Sequence, residues 1–158
     1  MSDEPTGVVA RASTIGVNHV GLTVRDIDAS VAFYTEVAGL EFLRRGHRTG
    51  GEWFDTLTHN QGAIIDAAFV GGRGYTLQLV QYFAGGGGDG QTGHNLVGNV
   101  HLCIEVDDVD AKHAEITALG AWNPTAIVDV ANGMARSFYV EDPNGIPVEF
   151  LEPTVRRD

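Results

Sequence analysis

The sequence predicts an α+β chain of two tandem βαβββ modules, whose strands form one curved eight-stranded sheet with a concave face. Three observations predict it. The eleven residues from His19 (HVGLTVRDIDA) and the eleven from His101 (HLCIEVDDVDA) share the histidine, Val24/Val106, Asp26/Asp108, Asp28/Asp110 and Ala29/Ala111 at an offset of 82 residues, about half of the 158-residue chain. Each copy is followed by apolar residues at helical spacing and then by strand-like runs. Between the copies lie four consecutive glycines, Gly85 to Gly88, the composition of a flexible linker.

The elements follow in order. Residues 1–14 read as a flexible, polar N-terminal extension, 15–83 as the first module, 84–98 as the glycine-rich linker, 99–153 as the second module and 154–158 as a tail. In the first module a strand from His19 to Val24 precedes Asp26, a good N-cap, and a helical run through Ile27, Val31 and Tyr34 ends near Gly39. Strands are expected at 63–70 and 74–82, joined by a turn at Gly71-Gly72. In the second module Asp108 caps a helix carrying Val109, Ala114, Ile116 and Leu119, which stops at Gly120. Strands are expected at 126–130, 137–140 and 147–151, with a turn from Asp142 to Gly145.

Charge and cysteine content narrow the function. Ten Lys+Arg against 21 Asp+Glu give a formal net charge of −11, which repels a phosphate backbone and argues against nucleic acid as a partner. Cys103 is the single cysteine, so no disulfide forms within the chain and a reducing compartment is expected. No apolar run has the length of a membrane span or of a signal peptide. The expectation is a cytoplasmic protein with no membrane partner.

Strand parity then selects candidate functional residues. Successive side chains of a strand point to opposite faces. Val20, Leu22 and Val24 form an apolar face in the first strand, and Leu102, Ile104 and Val106 do so in the second module. His19 and His101 lie on the other face. Gln78 between Leu77 and Leu79, and Glu149 between Val148 and Phe150, repeat this parity within two similar strings, LQLVQ and VEFLE. Each residue alone reads as an ordinary solvated strand position. Four at repeat-related positions converge if the modules pack about a pseudo-twofold axis. Two imidazoles, an amide oxygen and a carboxylate suit one divalent transition metal ion per chain (Co, Ni, Zn, Mn or Fe), with positions left open for water or substrate.

At these residues the chain resembles the vicinal oxygen chelate superfamily, the glyoxalase, bleomycin-resistance and extradiol dioxygenase group. The resemblance rests on Asn18 to Val24, Phe33-Tyr34 with Gly39-Leu40, His101 to Asp110, and Phe138 to Gly145 leading to Glu149, and spans about Gly16 to Pro153. It implies the paired-module fold, metal ligands at His19, Gln78, His101 and Glu149, and a homodimer. The order His, Gln, His, Glu is most similar to methylmalonyl-CoA epimerase, which also carries a Gln-Gly, here Gln61-Gly62, upstream of an acidic base. The acid here is Asp66, one residue further on and one carbon shorter than the epimerase glutamate. The implied chemistry is epimerisation or isomerisation of a small carbonyl or thioester substrate. A proton beside the carbonyl is abstracted through a metal-stabilised enolate, with Glu149 and Asp66 as bases.

Three alternatives stand beside this reading. An extradiol-type Fe(II) dioxygenase would use His19, His101 and Glu149, and residues from Tyr139 to Glu149 match much of that group's C-terminal motif. The histidine expected ahead of that motif is replaced by Ala131, Asn132 and Gly133. A glyoxalase I-like lyase usually carries Glu where Gln78 stands. A non-catalytic, resistance-type binding protein often lacks the full ligand set. For substrate contact the candidates are Tyr139 and the cluster Arg44, Arg45 and Arg48, read as a loop before Trp53 that either grips a carboxylate or thioester phosphates or is simply solvated.

Overall fold

The computed structural model describes residues 13–90 and 92–154. The expected N-terminal extension lies largely outside the described residues, as does all of the expected tail beyond Thr154. The first module runs β1 (Val20–Thr23), α1 (Ile27–Ala32), β2 (Glu41–Gly50), α2 (Glu52–Thr58), β3 (Ile64–Gly72) and β4 (Tyr75–Ala84). The second runs β5 (Leu102–Glu105), α3 (Val109–Ala118), β6 (Val128–Val130), β7 (Ala135–Glu141) and β8 (Pro147–Pro153). Among the described residues no helix is long and apolar enough to cross a membrane.

Both first helices are started by the aspartates that the repeat singled out. The Asp26 carboxylate accepts from the backbone N–H groups of Asp28 and Ala29, and that of Asp108 from Ala111, satisfying donors that the helix itself leaves open. A second device is repeated too. The Gln81 side-chain oxygen accepts from Ile27 N at 3.0 Å, and a Glu152 oxygen from Val109 N at 3.0 Å. The last residue of each string LQLVQ and VEFLE thus caps the helix of its own module. After α1 the chain continues as a π-helical turn, Phe33–Val37, before Gly39 takes a positive φ of 79°.

Two four-stranded sheets result, ordered β1-β4-β3-β2 and β5-β8-β7-β6. In each, the first strand pairs in parallel with the last and the other ladders are antiparallel. Among the described residues no ladder joins these two sheets into the expected single eight-stranded one. Strands β1 and β5 are edges with no ladder between them. The outer edge of β1 instead borders a cavity of about 920 Å³, walled by Leu22 to Arg25, the glycine segment, Asn99 and Val100.

The modules are joined on their helical sides. One apolar cluster contains Leu22, Ile27, Phe33, Tyr34, Leu77 and Leu79 from the first half and Ile104, Val109, Phe138, Val148 and Phe150 from the second. Phe33 meets Trp122 edge to face with ring centroids 4.7 Å apart. The β7–β8 turn is stitched to α1: the Tyr34 hydroxyl donates to Asp142 at 3.1 Å and the Asn144 amide to Ser30 Oγ at 3.1 Å, while Asn144 Oδ1 accepts from Arg25 N at 2.8 Å. Ser30, Tyr34, Asp142 and Asn144 are all buried. Desolvation, followed by the Asp142 charge and hydrogen bond, holds the Tyr34 phenol far above its usual range, so it stays a donor.

The run from β2 to β4 corrects two expectations. Arg44, Arg45 and Arg48, expected in a loop, lie in a ten-residue edge strand, Glu41–Gly50, laddered to β3. The hairpin turn after β3 falls at Arg73-Gly74, with Gly74 at φ 76°, while Gly71 and Gly72 stay in the strand. Between Gly46 and Thr49 the register shifts, and in that bulge Arg48 adopts φ 48°. The bulge turns the Arg48 N–H and the His47 ring onto Asp66.

Candidate active site

Each sheet has a face away from its first helix, and the candidates Gln78, Arg44, Glu149 and Tyr139 share it. In the first module the ladder sets Gly21 opposite Gln78, Gln78 opposite Phe69, and Phe69 opposite Arg44. This is one continuous row across all four strands. Phe69 packs with Ile65, Ala67, Val80, Tyr82 and Phe54 of α2, a cluster separate from the main core. His19, just before β1, sets its ring edge-on to Phe69 at 6.1 Å. The Gln78 amide oxygen lies over Gly21, 3.7 Å from where a Cβ would stand. Arg44 lays its guanidinium on the other side of the row, 3.5 Å from the Phe69 ring centre.

The second module repeats the row with different chemistry. Cys103 faces Glu149 and Glu149 faces Tyr139. The Tyr139 hydroxyl donates to Glu149 at 3.0 Å. Its pKa is pushed up to about 12, first by partial burial and then by the bond to, and charge of, that carboxylate. The phenol is therefore a permanent donor that fixes one Glu149 oxygen. His101 lies with its ring 6.1 Å from that of Tyr139. His94, from the linker, packs edge-on against the same ring at 4.6 Å. Sequence reading passed over His94 because it has no repeat partner, and Phe69 because an apolar strand residue carries no mark of its face until the register is known.

Among the described residues, no three or more histidine, cysteine or acidic side chains gather into a metal-binding group. Of the four expected ligands, His19 and Gln78 both border the Gly21–Phe69 row of the first sheet, and His101 and Glu149 both approach Tyr139 in the second. The donor types remain those of a divalent-metal centre.

Asp66 departs furthest from its expected role as a base. It shares the parity of Ala68 and Val70, which belong to the helix-side core, and it stands opposite Gln81, the helix cap. It therefore points away from Gln78. Parity was legible in the sequence, but it does not say which parity the helix covers. Buried there, Asp66 accepts from Arg48 N at 2.8 Å, Arg45 Nη2 at 3.0 Å and the His47 ring at 3.1 Å. The Arg48 N–H above all, opposed by desolvation and reinforced by Arg45 and His47, lowers its pKa from 3.8 to about 2. The Asp66 contribution to stability is complete above about pH 4 and is lost as pH falls towards 2. Asp66→Asn should flatten that slope. Acid titration followed by circular dichroism checks this, and identical acid limbs for both proteins would refute it.

The arginine cluster also separates. Arg45 lies on the helix side and bridges Asp66 to Asp28 of α1, so it is engaged within the fold and not offered to substrate. Its Nε is buried without a partner. Arg48 lies over Phe83 at 3.5 Å. Only Arg44 shares the row of Gln78.

A family model described as the Glyoxalase/Bleomycin resistance protein/Dioxygenase superfamily matches residues 16–150. The chain belongs to this superfamily. A probable lactoylglutathione lyase from Vibrio cholerae is 30% identical over 140 residues, covering 85% of this chain and 88% of that protein. The crystal structure of a glyoxalase family protein from Bacillus cereus superposes with a TM-score of 0.75 at 19% identity, covering 92% of this chain and 98% of that one. A fosfomycin resistance protein, FosX, from Listeria monocytogenes, solved with Mn(II) and sulfate, superposes with a TM-score of 0.59 at 18% identity, covering 90% and 96%. At least one solved relative of this superfamily fold thus holds a divalent metal.

Proposed function

We propose that this superfamily member is a divalent-metal-dependent, glyoxalase I-like lyase. It would act on a small carbonyl compound joined to a thiol, moving a proton between the carbon bearing sulfur and the neighbouring carbonyl carbon to leave a thioester. The observation that carries this is the extended similarity to proteins named lactoylglutathione lyase, of which the V. cholerae protein covers 85% of the chain. It reverses the order suggested by Gln78, which favoured an epimerase. Both reactions begin with loss of a proton beside a carbonyl. The epimerase remains the second reading, supported by the Gln78 amide.

Glu149 is the proposed base, and the Tyr139 hydroxyl orients it by occupying one oxygen at 3.0 Å. His19, Gln78, His101 and Glu149 would hold the metal. Bound there, a divalent ion supplies Lewis-acid stabilisation to the oxygens beside the carbon that loses its proton. Because His19 and Gln78 belong to the row of the first sheet and His101 and Glu149 to that of the second, we propose a homodimer in which each centre takes His19 and Gln78 from one copy and His101 and Glu149 from the other.

Two inactive variants test both parts. His19→Ala and His101→Ala should each lose turnover of the methylglyoxal–glutathione hemithioacetal. Refolded together in equal amounts, they should recover about a quarter of wild-type activity, because half of the dimers carry one intact centre of two. No recovery would place the whole centre within one chain. A wild type that is inert on the hemithioacetal but exchanges the α-proton of a methylmalonyl thioester in deuterated water would restore the epimerase.

A further inference from the structure

The first sheet places an arginine where the second has none. The row Gly21–Gln78–Phe69 continues onto β2 at Arg44. In the second module the place beside Tyr139 is taken by Thr125, which exchanges hydrogen bonds with the Tyr139 backbone. Two halves that otherwise repeat each other differ here in charge.

Arg44 also differs from other arginines of the chain. Arg25, Arg45 and Arg136 each pair with a carboxylate, at Asp89, at Asp28 and Asp66, and at Asp110. The Arg44 side chain makes no hydrogen bond or ion pair among the described residues. Instead it is exposed and lies flat on Phe69. A ring face holds a guanidinium by cation–π attraction and directs its N–H groups outward along their own plane, the geometry that meets a planar carboxylate with two parallel bonds. Arg48 stacks in the same way on Phe83, but among the described residues only Arg44 sets such a guanidinium in the row of Gln78, and in a chain of net charge −11 that favours an anion at this place. One guanidinium balances one carboxylate, whereas a phosphate dianion calls for more donors than the row offers.

We propose that Arg44, stacked on Phe69, is the specificity residue of this face and binds a carboxylate of the substrate. Two strand spacings, about 10 Å, separate the backbones of Gln78 and Arg44. The substrate therefore carries its carboxylate several bonds from the reacting carbonyl. The assignment rests on the reading of this face as the reactive one and deepens it to carboxylate-bearing thiol adducts. Arg45 and Arg48, adjacent in sequence, take no part in it.

The test uses the full chain and two probes, S-methylglutathione and its diethyl ester, titrated by calorimetry independently of turnover. Wild type should bind the acid at least about tenfold more tightly than the ester. Arg44→Gln should abolish that preference while leaving ester affinity unchanged. Arg44→Lys should restore only part of it, since an ammonium keeps the charge but not the planar fork. In the lyase assay Arg44→Gln should raise KM and leave kcat within about threefold of wild type. Equal binding of acid and ester, a preference that survives Arg44→Gln, or no binding of the acid would each overturn the assignment. A carboxylate preference that depends on Arg44 in a protein inert on the hemithioacetal would uphold the anion site and remove the lyase reading.

Discussion

Glu149→Gln should lower kcat for the isomerisation by about 10² to 10⁴-fold, the usual contribution of a positioned general base. The fold should be intact. Glutamine has nearly the same shape, its side-chain oxygen still accepts from the Tyr139 hydroxyl, and the flanking Val148 and Phe150 are untouched in the core. Loss of the carboxylate also weakens the proposed metal site, so metal content should be measured beside activity. Full metal content with lost turnover identifies the base. Joint loss identifies a ligand. A variant that turns over at the wild-type rate removes Glu149 from the chemistry. Tyr139 separates the roles further: without its hydroxyl the carboxylate keeps its charge and loses only its orientation.

Asp142→Ala should be strongly destabilising. Its carboxylate accepts from the backbone N–H groups of Asn144 and Ile146, each at 2.8 Å, from the Asn144 amide at 3.0 Å and from the Tyr34 hydroxyl at 3.1 Å. Removing it strands several donors in a buried setting, and each stranded group costs about 1–3 kcal/mol. The expected loss is about 3–5 kcal/mol, a large share of the stability of a domain this size. Urea unfolding of the full chain measures it. Tyr34→Phe removes a single bond and should cost about 1–2 kcal/mol. Equal effects from the two substitutions would show that the carboxylate matters only through Tyr34.

Much of this fold was legible because duplication printed it twice. The strands at His19 and His101, the aspartate caps and the parity of Gln78 and Glu149 are each visible in one half and checked by the other. Strand β2 was not legible. Its residues Arg44, Arg45, Gly46, His47 and Arg48 carry no apolar alternation, because an edge strand with a bulge has little buried surface to encode. Helix α2 is short, and only Phe54 marks its inner side. Asp66 shows a different limit: parity separates the two faces of its strand but does not say which of them the helix covers, and Asp66 lies on the covered one, opposite in parity to Phe69 in the row of Gln78. The relation between the modules was the least legible. It depends on Phe33 meeting Trp122 and on Tyr34 meeting Asp142, pairs 89 and 108 positions apart. No local pattern announces such contacts.

The shared core constrains how the two halves descend from one ancestor. At the seam, where Phe33 lies against Trp122 and Ser30 against Asn144, a change in either copy is felt by the other, so the twins must drift there together. The open rows are under no such obligation. They are where the copies have parted: an amide against a carboxylate, a phenyl ring against a phenol, an arginine against a threonine. An interlocked seam lets an ancient repeat give up its symmetry on its working surface while its frame stays double.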